Sequence, residues 1–263
     1  MNRGFTLVEL SIVLVILGLL VGGVLVGQNL IRASELRAVA TDFDKYQQAI
    51  NAFRDKYLAI PGDMTNATQF WGAAPSCPAT AGTGTQTCDG NGDRIFNNPP
   101  AASQYGEIFT FWQHLGNAGM IEGSYTGMAG SSAPGKHDVG INAPEGRLNN
   151  SGWGVTHWND TTGDASLFDG RYGNNLIVGM VNEAGTARPN APLLRPHEAW
   201  NIDDKIDDGS PARGKMVARS RQGCAEYNDV ALTASAADAA QLDANYILDE
   251  PDITCAIVMR NLF

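Results

Sequence analysis

From Leu10 to Gly27 the chain reads LSIVLVILGLLVGGVLVG, without a single charge, and between Phe5 and Gly27 the only ionisable side chain is Glu9. Coiled as a helix, residues 5–27 would be about 35 Å long, enough to cross a hydrocarbon layer of about 30 Å. A removable secretory signal has a shorter apolar region, about 7–15 residues, followed by an Ala-x-Ala site. Here no such site follows, and the helical pattern runs on through Gln28–Leu30. The segment therefore reads as a retained membrane or filament-core helix over residues 5–30.

Glu9 is the anomaly in this run. A carboxylate costs about 2.5–3.5 kcal/mol at the centre of a membrane helix and less towards its ends, so it calls for a partner. Only Arg3 is basic within helical reach, although an α-amino group freed just upstream would also serve. The stretch Met1-Asn2-Arg3-Gly4-Phe5-Thr6-Leu7-Val8-Glu9-Leu10 resembles the prepilin signal of type IV pilins and type II secretion pseudopilins. The resemblance implies cleavage between Gly4 and Phe5 by a prepilin peptidase at the cytoplasmic face, followed by N-methylation of Phe5. It also implies that Glu9 pairs with the terminal ammonium of a neighbouring subunit during assembly. The physics agrees, because two charges stranded among apolar groups each cost free energy, and pairing offsets that cost while setting register. Many relatives of this kind carry a proline in the distal part of the helix. Here that region is Gly22-Gly23-Val24-Leu25-Val26-Gly27 instead, and Gly18/Gly22 and Gly23/Gly27 form two small-xxx-small pairs suited to close helix packing.

Beyond the apolar run, Leu36, Val39/Ala40, Phe43, Tyr46, Ile50, Phe53 and Tyr57 recur every three or four residues, which predicts an amphipathic continuation of the same helix ending before Pro61. The chain thus divides into a leader (1–4), an apolar helix (5–30) and a globular region (31–263) with helix 31–58 as its spine. Residues 62–104 read as loop with a core-like patch at Phe70-Trp71-Gly72. A second helix is predicted over 105–121, and 122–170 reads as loop anchored by Trp153 and Trp158. Strands are predicted at 176–181, 215–218 and 255–259, with a short helix at 197–206. The fold class is α+β, with a long N-terminal helix packed on a C-terminal antiparallel β-sheet, which is the pilin-like arrangement.

Composition narrows the function. The net charge of −10 argues against a nucleic-acid surface, which needs clustered Lys and Arg. Four cysteines allow three connectivities. Outside the membrane they favour disulfides over metal, and proximity in the chain favours Cys77 with Cys88 and Cys224 with Cys255. Asp89-Gly90-Asn91-Gly92-Asp93 places oxygen side chains as at the start of a calcium loop, with Asp89, Asn91 and Asp93 as candidate ligands, but Arg94 and Pro100 break the rest of that pattern. A second acidic cluster, Asp203 to Gly209, reads as a solvated helix end and turn, and no position in it maps onto the calcium loop of the major secretion pseudopilin. The histidines lack metal spacing and no nucleophile elbow or phosphate loop is present, so no catalysis is expected. The resemblance implies other pilins or pseudopilins, the prepilin peptidase, an inner-membrane assembly platform and the lipid bilayer as partners. It also implies a single-pass inner-membrane protein with its globular region outside, in a secretion pseudopilus or a related type IV filament. The alternative is a minor pilin that binds at a filament tip.

Overall fold

The computed structural model describes residues 6–77, 82–97, 106–130, 136–159, 161, 167–168, 170–181, 188–219, 223–226, 243–260 and 262. The dominant element is α1, Leu7–Tyr57, an uninterrupted helix of 51 residues. Its end is set by Leu58, which adopts the left-handed conformation while its N–H bonds the Arg54 carbonyl, just ahead of Pro61. The predicted stripe is the one that is buried: Val39, Phe43, Tyr46, Ala49, Ile50 and Phe53 enter the main core.

Opposite α1 lies a five-stranded antiparallel sheet ordered β1 (Ser151–Trp158), β2 (Gly173–Val181), β5 (Ile257–Met259), β4 (Met216–Ala218), with β3 (Pro189–Ala191) paired to the far end of β2. Alternation along the strands separates two faces. Trp153, Val155, Leu176, Val178, Met216, Ala218, Ile257 and Met259 join α1 in the main core. Val217 and Val258 point the other way and pack with Leu167 and Tyr172. Between α1 and the sheet runs α3 (Glu107–Asn117), whose residues from Glu107 to Leu115 are all buried. It stops where Gly119 takes a positive φ and the Met120 N–H reaches back to the Leu115 carbonyl, a Schellman closure. Tyr46 of α1 sits edge-on to Trp112 of α3 and Trp153 of β1 at centroid distances of 5.1 and 5.2 Å, so one phenol ring joins all three layers.

The structure corrects the sequence reading in several places. Among the described residues there are five strands rather than three, and β1 occupies a stretch read as loop. The second helix ends at Asn117 rather than 121, and Tyr105, its expected first residue, lies outside the described residues. The patch at Phe70-Trp71 belongs to a one-turn helix, α2 (Ala67–Trp71), in which Phe70 is 54% exposed. The short helix α4 (Pro196–Ile206) falls where expected.

Candidate functional site

The site has to be built from the amino-terminal half of α1, because that is where the sequence is least like a soluble protein. Every Leu, Ile and Val from Leu7 to Ile31 is at least 50% exposed. The helix is long and apolar enough to cross a membrane, and none of its most apolar stretch is covered by the rest of the chain. Gly18, Gly22, Gly23 and Gly27 lie on this naked half, and a Cβ on any of them would meet nothing within 4 Å. Uncovered small residues on an apolar helix leave flat patches where another helix can approach closely.

Thr6 and Glu9 begin the helix as a reciprocal pair. The Thr6 N–H and hydroxyl both donate to Glu9 Oε2 at 2.8 Å, and the Glu9 N–H donates back to Thr6 Oγ1 at 3.2 Å. This is a capping box, which satisfies backbone donors otherwise orphaned at a helix start. In the single chain Glu9 therefore has neutral donors in Thr6, in addition to the ionic partners considered from the sequence. The signal was present in the sequence as Thr-x-x-Glu ahead of an apolar run. Gly4 and Phe5, the expected cleavage and methylation positions, lie outside the described residues.

Where the naked half gives way to the buried half, Arg32 grips the globular region. Its Nε and Nη2 donate to the two carboxylate oxygens of Glu198 at 2.6 and 2.7 Å, and Nη2 also reaches the Leu193 carbonyl at 3.5 Å. Glu198 is buried and accepts from the Arg195 N–H at 2.9 Å, which caps α4. Burial pushes its carboxyl upwards, but the Arg32 hydrogen bonds, the Arg195 N–H and the Arg32 charge together hold it below its ordinary range. This two-pronged contact fixes α4 against α1 just after the apolar half ends. Sequence reasoning did not single out Arg32 or Glu198, and nothing in their spacing, 166 residues apart, could have paired them.

The cysteines form Cys77–Cys88 and Cys224–Cys255, with Cα separations of 5.8 and 5.0 Å. The second ties the segment after β4 to the stretch just before β5, where Cys255 bridges Leu194 just ahead of α4.

The three candidate calcium ligands do not converge. Asp89 accepts from the N–H and hydroxyl of Thr68 at 2.8 and 3.0 Å, at the start of α2. Asn91 and Asp93 bond to each other, and Asp93 also accepts from the Ile95 N–H and the Asn97 amide. The carboxylates that do meet are Asp63, Asp93 and Glu107. Asp63 accepts from the Gly92 and Arg94 N–H groups, and Glu107 from those of Asn91 and Asn97. Burial holds both of those carboxyls above their ordinary range, while every oxygen of the group already has a donor. The arrangement reads as a loop organised by acids at the head of α3, and a Cβ at Gly62 would lie 2.5 Å from the Glu107 carbonyl of that helix.

His114 is a buried structural residue. The Gly62 N–H donates to its Nδ1 at 3.0 Å, so Nε2 carries the proton and faces Thr87 Oγ1 at 3.0 Å, while the Thr87 hydroxyl passes its own hydrogen to Gln113 Oε1.

Compared with known proteins, residues 1–25 match the family model described as the prokaryotic N-terminal methylation motif. No curated protein and no solved structure matches the chain. With the naked apolar helix that follows, the match identifies the amino-terminal element of this α+β chain as the prepilin signal of type IV pilins and pseudopilins.

Proposed function

We propose that the chain is a structural subunit of a type II secretion pseudopilus or a related type IV filament, and that it performs no chemistry of its own. The observation that carries this reading is the division of α1: one half is the spine of a folded head, and the other is apolar on all sides with nothing covering it. Such a half is stable only in lipid or among copies of itself. In the bilayer the precursor waits with its leader in the cytoplasm and its head in the periplasm. Removal of residues 1–4 frees the Phe5 amine, and the subunit is then drawn by the assembly platform into a bundle where neighbouring helices replace lipid.

The capping box adds a step to this account. In the single chain the Glu9 carboxylate is held by Thr6, so assembly exchanges a neutral intramolecular donor for a neighbour's ammonium. Both bonds are charge-assisted, because Glu9 is ionised in each, but only the ammonium brings an opposite full charge, whose attraction grows in a water-poor bundle, and the exchange favours the filament. Glu9→Val should leave membrane insertion intact and abolish filament yield, whereas Thr6→Val should spare yield and only loosen the first turn. Mass spectrometry of the mature N-terminus together with electron microscopy of sheared filaments tests the reading. An intact Met1, or a cut beyond Gly27, overturns it. Long surface filaments with the chain confined to their ends would favour the minor-pilin reading, which the size of the head supports.

A further inference from the structure

At the end of α1 farthest from the naked half, a polar pocket of about 840 Å³ opens on the head. Asn51, Arg54 and Asp55 line it from one face of the last turns of α1, the spacing that brings helix neighbours together. Arg94 enters from the loop ahead of α3, and His157 and Asn174 stand opposite each other across β1 and β2. The filament reading uses none of these groups.

The far wall is built around Asn174, which is buried. Its Oδ1 accepts from the Phe96 N–H at 3.3 Å and its Nδ2 donates to the Arg94 carbonyl at 2.8 Å, so the backbone fixes which way the amide points. His157 Nδ1 lies 2.8 Å from the same Oδ1 and must carry the proton. Its Nε2, with no partner among the described residues, is left to accept from a hydroxyl. Arg94 holds a positive φ of 66°, a conformation that residues with a Cβ adopt mainly where tertiary contacts impose it. Those contacts are the Asn174 amide on its carbonyl and Asp63 Oδ2, which accepts its N–H at 2.8 Å. The backbone of Arg94 is thus pinned, while among the described residues its guanidinium makes no ion pair.

Two guanidiniums and an imidazole, brought together from three elements of a chain with net charge −10, favour an anion. The planar fork of arginine matches a carboxylate. Asp63 is occupied by the Gly92 and Arg94 N–H groups, so the carboxylate that faces the pocket is Asp55. That charge opposes a doubly charged phosphate but accepts hydroxyl hydrogens, as the Asn51 amide and the Thr65 hydroxyl also can. The volume is that of a small-molecule site, about 300–1,000 Å³.

We propose that this pocket binds a small, singly charged polyol of the sugar-acid class, with its carboxylate on Arg94 and its hydroxyls on Asp55, Asn51 and His157. Titrating the full-length protein with glucuronate and galacturonate, in a detergent without a sugar headgroup, should give saturable binding by ligand-observed NMR. Glucose and inorganic phosphate should bind far more weakly. Arg94→Gln should weaken sugar-acid binding about tenfold, the loss of one charge-assisted bond, and His157→Gln should weaken it less. Arg94 is exposed, so this variant should melt with the wild type. Lys45→Gln, on the same helix but away from the pocket, should change nothing. The proposal is overturned if neither sugar acid binds, if glucose or phosphate binds equally well, if Arg94→Gln keeps wild-type affinity, or if Lys45→Gln loses as much. Its failure would leave the filament reading standing, because none of these residues lies on the naked half of α1.

Discussion

The two halves of α1 are one continuous helix, yet they obey different solvents. From Ile12 to Val26 the helix is apolar on every side and bare. From Val39 to Phe53 it is apolar on one stripe only, and that stripe is sealed by α3 and the sheet. Hydrophobicity alone does not separate a core helix from a membrane helix, but how far round the cylinder it extends does. The comparison also assigns a job to each half. Substitutions in the buried half should show in head stability, and those in the naked half only in partition and assembly.

The sharpest way to break that division is Trp153→Ala against Leu17→Ala. Trp153 is fully buried beside Tyr46, and its truncation should cost the head about 3–5 kcal/mol. Leu17 is half exposed and should leave the denaturation midpoint of the head unmoved while weakening membrane retention. A matching loss from Leu17→Ala would mean that the head covers the apolar half after all.

Next in size are the disulfides. The loop closed by Cys224–Cys255 spans 31 residues and that closed by Cys77–Cys88 spans 11, so replacing each pair by serine should cost about 4 and about 3 kcal/mol respectively on chain-entropy grounds. Both losses should appear in urea denaturation of the head, with the first pair costing more because both its cysteines are fully buried. Neither should alter membrane insertion.

A smaller effect comes from pH. Burial drives His114 down to about 3, whereas an unfolded histidine titrates near ~6.5. Below ~6.5 the unfolded chain binds a proton that the folded head refuses, so stability should fall as pH drops, by about 1.4 kcal/mol per unit and about 2 kcal/mol by pH 5. His114→Gln should flatten that slope in denaturation curves at pH 7 and pH 5. An unchanged slope would place the acid sensitivity elsewhere.

Legibility in the sequence follows the same division. Both halves of α1 were readable because a 3.6-residue period, or an unbroken apolar run, is a strong local signal. So were β2, β4, β5 and α4, where apolar runs or a Pro-led start mark the element. β1 was not, because Ser151-Gly152-Trp153-Gly154 looks like loop. Its glycines are there for packing: a Cβ on Gly152 would strike Val139 at 2.5 Å, and one on Gly154 would crowd Pro189 at 3.1 Å, contacts fixed only by tertiary structure. Phe70 misled in the opposite sense, since an aromatic beside Trp71 reads as core until α2 turns it outwards. At the processing signal the motif was legible residue by residue, whereas the meeting of Asp63 with Glu107 and of Arg32 with Glu198 depends on long-range folding that no spacing encodes.

An effect of similar size to that of His114 falls on the joint between the halves. Removing one member of a buried ion pair costs about 3–5 kcal/mol, but the Arg32 side chain is 32% exposed and water would recover part of that, so Arg32→Ala should cost about 1–3 kcal/mol. The pH dependence carries more information than the magnitude. Glu198 titrates below its ordinary value in the folded chain, so its contribution is complete above the unfolded carboxyl value near ~4.3 and is lost as pH falls through the lower folded value. In Arg32→Ala the same carboxyl keeps its burial and loses the Arg32 bonds and charge, so its value moves up and acid loosening begins at a higher pH. Arg32→Lys keeps the charge but not the fork, and should fall between the two. If α4 is the hinge that sets head against membrane helix, these variants should order alike in acid denaturation and in protease access to the Leu193–Glu198 segment. If the two orders differ, the ion pair stabilises the head without setting its angle to α1.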